Sequence, residues 1–404
     1  MSLYKNIPGE DTLKNLAGTL SLDPVKVNGH FHTPYSFSAF SDMNKVFEMA
    51  AAEDIRVLGI NDFYTMDGYQ EFASLCLENR KFPLFNIEFM GLLKQEQEHG
   101  IRVNDPNNPG RTYLSGKGLD FPVSLEGELL GMLESVRKES DVQTREMVEK
   151  ASAHLAGIDK DLKLDYNYIL DNFTRGMVRE RHIAQVVRTM VFQKYHSGEE
   201  RKQILSEIYG GRESKADPED SVAVDGEIRS MLLKSGGVAF VPEDPKAFLE
   251  IEDVIRIIRG AGGIPCYPVL LDDSKGNFTD FESDPEKLYN RLTSLNIWSL
   301  ELIPGRNSLA HLKPFVNYFN DRDFVITFGT EHNTPALDPL TVSAGDGELD
   351  QELLEIGYQG ACVIAAHQYL RSKGEQGYIE DSGKPADRKS FVKLGNAVIK
   401  SFLT

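Results

Sequence analysis

Cysteine, long apolar runs and basic charge are all scarce in this chain, and each shortage removes a class of protein. The three cysteines, Cys76, Cys266 and Cys362, are widely spaced and include no CxxC pair. Neither a disulfide framework nor a zinc finger is suggested, and a reducing compartment fits best. The longest apolar stretches, such as residues 357–366, fall well short of the ~20 residues a membrane span requires. The opening MSLYKNIPGEDTLKNL has no apolar signal-peptide core and no cleavage-like site, so a cytoplasmic protein is expected. Lys and Arg number 44 against 62 Asp and Glu, a formal charge of -18. That balance argues against a nucleic-acid surface, but a pocket for a small anionic substrate needs only two or three local cations. No segment repeats at a fixed period and none is of low complexity.

With 404 residues, 41% of them hydrophobic, the chain can form one large α/β domain with an insertion, or two domains. No structural metal is needed at that size, so any metal is expected to be functional. After an N-terminal arm or peripheral helix (1–22), VKVNGHFHT ends a first strand in a polar cluster. Helical spacing over 41–55, the run VLGI (57–60), a helix over 69–78 and PLFNIE (83–88) then follow. Strand, helix, strand, helix, strand at this tempo predicts βα units around a parallel sheet. Residues 104–118, rich in Pro, Asn and Gly, read as loop. Residues 120–235 read as a helical insertion or cap, a substrate lid or an oligomer contact. The β/α pattern resumes over 236–370: strand VAFV (238–241), helix 251–259, strand within AGGIPCYPVL (261–270), helix 285–294, strand IWSLELI (297–303), helix 309–319 and strand FVITFG (324–329). A closing helical region with a Gly-containing break (350–370) precedes a basic, polar tail (371–404).

The chemistry collects at strand ends. In a strand, residues i and i+2 share a face, so His30 and His32 can converge on one ion. Asp62 and Glu88 end two further strands, His99 follows eleven residues after Glu88, and Glu331-His332 end FVITFG. Imidazole with carboxylate suits Mn, Fe or Zn better than Ca or Mg.

These segments resemble, in order, the motifs of the PHP (polymerase and histidinol phosphatase) superfamily of metal-dependent phosphoesterases. NGHFHTPYSFSA is similar to its opening D-L-H-x-H-T-x-x-S-D-G. AAAEDIRVLGINDFYTMDGY is similar to its second motif, NIEF to the segment with its bridging glutamate, RERHIAQVV (179–187) to R-P-H-[IF]-A, IRGAGGIPCYPVL to A-G-G-x-x-x-x-A-H-P, and FVITFGTEHNTP to G-S-D-x-H. The resemblance implies a distorted seven-stranded β/α barrel with a helical insertion. It also implies one or two divalent ions (Mn, Zn or Fe) held by His30, His32, Glu88, His99, Glu331 and His332. Arg181 and His182 would grip a phosphate, with Arg306 and Tyr267 also in contact with substrate, and Asp62 would be an acid/base or would orient a ligand imidazole. Five positions depart from the pattern: Phe37, Phe63, Tyr267, Glu331 and Asn333 stand where the family has aspartate, histidine, histidine, aspartate and histidine. With Phe37, Phe63 and Asn333 there, a third metal position is dismantled. The expected activity is hydrolysis of a small phosphate ester by a metal-activated water. Hydrolysis of an amide or lactone, and a decayed metal- or ligand-binding protein, are the alternatives, and a homo-oligomer is left open.

Overall fold

The computed structural model describes residues 3–5, 7–272 and 276–404. Seven strands lie side by side in chain order: β1 (Lys26–Phe31), β2 (Ile55–Phe63), β3 (Phe82–Leu92), β4 (Arg111–Lys117), β5 (Ile264–Val269), β6 (Ser299–Leu302) and β7 (Val325–Phe328). A two-residue strand, Leu249–Glu250, pairs in parallel with the end of β3. The outer strands meet: Phe31 bridges Glu331 in parallel register, the His32 N–H donates to the Glu331 carbonyl at 2.8 Å, and the Glu331 N–H donates to the His30 carbonyl at 2.9 Å. The result is a nearly closed, distorted β/α barrel of PHP type. Its strands read as continuous apolar runs because side chains on one face fill the barrel and those on the other meet helices.

Those helices follow from local signals. Asp42 caps Met43–Ala52, and Asp284 with Pro285 in the first turn starts Pro285–Ser294. Ile251–Gly260 buries Ile251, Val254, Ile255 and Ile258 on the stripe that faces the sheet. In the β2–β3 register Phe63 pairs with Glu88. That register brings the carboxylate to the same barrel mouth as His30 and His32.

The helices Gly127–Ile158, Tyr166–Phe173, Glu180–Lys194, Gly198–Ile208 and Ser221–Ile228 build a second apolar core, with Met147, Leu155, Ile183 and Val224 inside it. The 32-residue helix Gly127–Ile158 belongs to both bodies. Its Leu133 and Val136 pack into the barrel core and its Met147 to Leu155 portion into the helical one. Among the described residues, no helix is long and apolar enough to cross a membrane.

Four elements differ from the sequence expectation. The stretch read as loop, 104–118, contains β4, which runs antiparallel to both β3 and β5, so the barrel is not wholly parallel. Its Thr112-Tyr113-Leu114 pair with Phe89 to Gly91, whereas the turn residues that dominate the window lie just before it. VAFV (238–241) forms turns, because Ala239 and Val241 bury in the helical core and Val238 is exposed. Residues 350–370 carry no break: one helix, Gln351–Ser372, runs through Gly357 and Gly360, whose missing side chains let it lie against β7, where a Cβ on Gly357 would come 2.8 Å from the Phe328 ring. Finally, the stretch expected as a tail folds as the helix Arg388–Leu403, with Ala397, Val398 and Ile399 buried against the preceding helix.

Candidate metal centre and its pocket

β1 ends with both imidazoles on one face. The Nε2 atoms of His30 and His32 are 3.3 Å apart, and His32 Nε2 is 3.3 Å from Glu88 Oε2. One nitrogen or oxygen from each residue falls within 4.8 Å of the others, and all three side chains are buried. Burial lowers both imidazole pKa values, that of His32 to about 3, which favours the neutral rings that have a lone pair to offer. Burial also raises the Glu88 carboxyl. Glu88 Oε2 is enclosed without a hydrogen-bond partner. An orphaned buried acceptor costs ~1–3 kcal/mol, and a cation between it and the two imidazoles removes that cost. Two imidazoles and a carboxylate fit a divalent Mn, Fe or Zn ion.

A ring of buried groups holds these three in place. His30 Nδ1 lies 2.9 Å from Glu301 Oε2. Glu301 is ion-paired with Lys117 and accepts from Ser115 Oγ at 3.0 Å. Burial alone would raise the Glu301 pKa, but His30 and Lys117 outweigh it and pull the carboxyl to about 2. His32 Nδ1 is 3.2 Å from Ser36 Oγ, which donates to Asp62 Oδ1 at 2.6 Å. Asp62 also accepts from the Thr33 N–H at 2.8 Å and the Thr33 hydroxyl at 2.5 Å. Burial raises Asp62 to about 6 against the pull of those donors. Asp62 thus orients His32 through Ser36. Sequence reading missed Glu301, Lys117, Ser115 and Asn61. The signal available was a charge inside each of two apolar strand runs, SLELI and YLSGK, where unpaired charges are rarely tolerated.

The cluster opens into a cavity of about 330 Å³. Phe37, Phe63 and Tyr113 form an aromatic wall, and Arg179, Arg181 and Arg306 bring positive charge. Val136, Ser140, Gln143 and Thr144 of the long helix line it as well, so barrel and helical layer share the pocket. Arg306 is paired with Glu331, and Arg229 and Lys234 with Glu180 at 2.9 and 3.0 Å. Among the described residues, Arg179 and Arg181 make no ion pair: Arg179 donates to Ser140 Oγ at 3.2 Å and lies 5.1 Å over Phe63, while Arg181 lies 5.5 Å over Phe37. Burial, with Arg229 nearby, lowers Arg181 to about 10, which still leaves it cationic at neutral pH.

The remaining expected site residues divide. Glu331 lines the cavity mouth in the left-handed region (φ 68°), its carboxylate on Arg306 rather than among the imidazoles. His332 (φ 50°) turns away: its ring nitrogens lie 2.7 Å from Thr330 Oγ1 and 2.7 Å from the Asp338 carbonyl, and the ring stacks on Phe40. His99 is exposed, with Nδ1 2.6 Å from the Gln95 carbonyl. Tyr267 is buried and donates to Glu282 at 2.8 Å. Next to Arg181, His182 is drawn inward, and its Nδ1 accepts from the Arg179 N–H at 3.0 Å to close the helix start. Phe63, where the resembled motif has histidine, stacks on His32 with centroids 5.2 Å apart.

No protein-family model and no curated protein matches this sequence. Solved structures do. A protein from Bifidobacterium adolescentis, assigned as a metal-dependent phosphoesterase, aligns at 16% identity with a TM-score of 0.52, over 82% of this chain and 95% of its own. An amidohydrolase from Chromobacterium violaceum, with sulfate bound and no metal, aligns at 16% identity with a TM-score of 0.51, over 78% of this chain and 90% of its own. At that identity the likeness establishes the fold.

Proposed function

We propose that this protein is a metal-dependent hydrolase of a small phosphate ester. The observation that carries the reading is the juxtaposition of a buried His30/His32/Glu88 donor set, one carboxylate oxygen of which is orphaned, with two unpaired guanidinium groups in the same pocket. His30, His32 and Glu88 would hold the ion, which when bound supplies Lewis-acid charge and acidifies water. Arg179 and Arg181 meet the phosphoryl oxygens with their planar forks. Glu331 holds Arg306 at the mouth, and Phe37 and Phe63 keep that wall dry, which strengthens each charge inside. Asp62, 4.0 Å from His32 Nδ1 and joined to it by hydrogen bonds through Ser36, keeps the imidazole oriented and does not meet the substrate.

The test is chelator-stripped protein reloaded with Mn, Zn or Fe(II) and screened against phosphomonoesters, cyclic phosphodiesters, amides and lactones. Phosphate release is expected. Arg179→Met and Arg181→Met should each raise KM for the best phosphate substrate ~10–100-fold, since a charged hydrogen bond contributes ~1.5–3 kcal/mol. Hydrolysis confined to amides or lactones, or none by fully loaded protein, would overturn the proposal.

A further inference from the structure

Lys117 is one of the largest fully buried side chains of the barrel, and the catalytic reading above gives it no task. Its ammonium is ion-paired with Glu301 and lies 3.4 Å from Asn61 Oδ1. Asn61 Nδ2 in turn is 3.2 Å from Ser115 Oγ and 3.1 Å from His30 Nδ1. Four strands, β1, β2, β4 and β6, therefore meet in one closed polar network directly behind a candidate metal ligand. Burying an ammonium and a carboxylate is costly and is seldom done for stability alone. What this pair achieves locally is an oxygen of Glu301 held 2.9 Å from His30 Nδ1, with His30 Nε2 on the side of His32, 3.3 Å from its Nε2 and 3.2 Å from the Asn61 amide nitrogen.

The same pair bears on how many ions the centre takes. Among the described residues, His30, His32 and Glu88 form the one group of three His, Cys, Asp or Glu side chains with converging ligand atoms. Of the other carboxylates near the cluster, Glu301 already satisfies Lys117, His30 and Ser115, and Asp62, 4.0 Å from His32 Nδ1, is taken up by Thr33 and Ser36. The side chains that could have extended the donor set are turned elsewhere: Tyr267 to Glu282, His99 to the surface, and Glu331 to Arg306. Lys117, Arg179, Arg181 and Arg306 surround the cluster with positive charge that opposes a second cation.

We infer that the centre is mononuclear, with Lys117 as a fixed internal cation in place of a second ion and Glu301 as the positioning residue that sets His30 to ligate through Nε2. The inference rests on the metal-binding reading above and refines it. Its first test needs no variant. Apo protein titrated with Co2+ and analysed for bound metal should saturate at one ion per chain; two ions at saturation overturn the mononuclear assignment. Nitrogen-15 NMR of the apo imidazoles should show His30 protonated on Nδ1, and an Nε2–H tautomer overturns the role of Glu301. The variant E301M/K117M removes the acceptor while preserving net charge. It should bind Co2+ ~10–100-fold more weakly, with an altered visible spectrum. A folded double variant with wild-type affinity and spectrum overturns the positioning role even if the wild type is active. A wild type that binds no divalent ion overturns the hydrolase reading itself and this inference with it.

Discussion

Replacing Gly329 by alanine tests whether the barrel seam and the candidate metal centre are one structure. Gly329 follows β7 at the point where β7 meets β1, and a Cβ there would overlap the His30 Cβ and come within 2.7 Å of the His30 backbone nitrogen and oxygen. Those are main-chain atoms and cannot swing aside. To restore ordinary contact at 3.4 Å the strands must separate by about 0.7–1.0 Å, the larger figure set by the His30 Cβ at 2.4 Å. That movement stretches the bonds that close the seam, Thr330 and Glu331 N–H to the His30 carbonyl and His32 N–H to the Glu331 carbonyl. Overpacking costs ~1–3 kcal/mol and each weakened backbone bond up to ~1 kcal/mol, so a loss of about 2–4 kcal/mol is expected. Trp298, the single tryptophan, donates its indole N–H to the Gly383 carbonyl beside β6 and reports barrel unfolding in urea by fluorescence. The midpoint should fall well below wild type, and Co2+ affinity should fall at least ~10-fold because His30 moves with the strand. Gly131→Ala is the matched control: no atom lies within 4 Å of its Cβ, and alanine in that helix should be neutral or stabilising. A G329A protein with wild-type midpoint and wild-type Co2+ affinity would refute the close approach and the coupling drawn from it.

Two further outcomes are expected. His99→Ala and His332→Ala should both leave metal content at the wild-type value, measured by elemental analysis, but H332A should lower the melting temperature because the buried ring's stacking on Phe40 and its bonds to Thr330 and Asp338 are lost; loss of the ion in either variant would place that residue in the ligand set. Acid should destabilise the fold through His182 and His367. Burial lowers the first to about 3 and the second to about 4, and each Nδ1 accepts a backbone N–H, from Arg179 and Tyr378 respectively. Unfolded histidine binds its proton near pH 6.5 while the folded groups do not, so stability is full above that pH and declines as pH falls towards 4 and 3. Urea midpoints across pH 4–8 should show this, with a shallower decline in His367→Gln, and an unchanged slope would exclude His367 as a cause.

Much of the barrel was legible in the sequence because its signals are local. The helix 285–294 starts where Asp284 and Pro285 place it and the helix 69–78 follows its apolar spacing, and the β1, β2 and β3 runs are dense in residues that need two covered faces. His30 and His32 were legible for the same reason: a strand of period two puts them on one face regardless of what surrounds it. Glu88 was legible as a carboxylate in an apolar run, although β3 continues past it to Leu92 rather than ending there.

What the tertiary structure alone decided is which side chains share space. Glu331 and His332 are adjacent, yet a left-handed turn sends one to Arg306 and the other to Asp338. Arg179, Arg181 and His182 sit within four residues, but the helix start turns both arginines to the pocket and the histidine to the backbone. Glu301, Lys117 and His30 lie on three strands far apart in sequence, and only closure of the barrel brings a buried ion pair behind a candidate metal ligand. Period and composition belong to the chain one element at a time; convergence of charges depends on register, and register is set when strands pair.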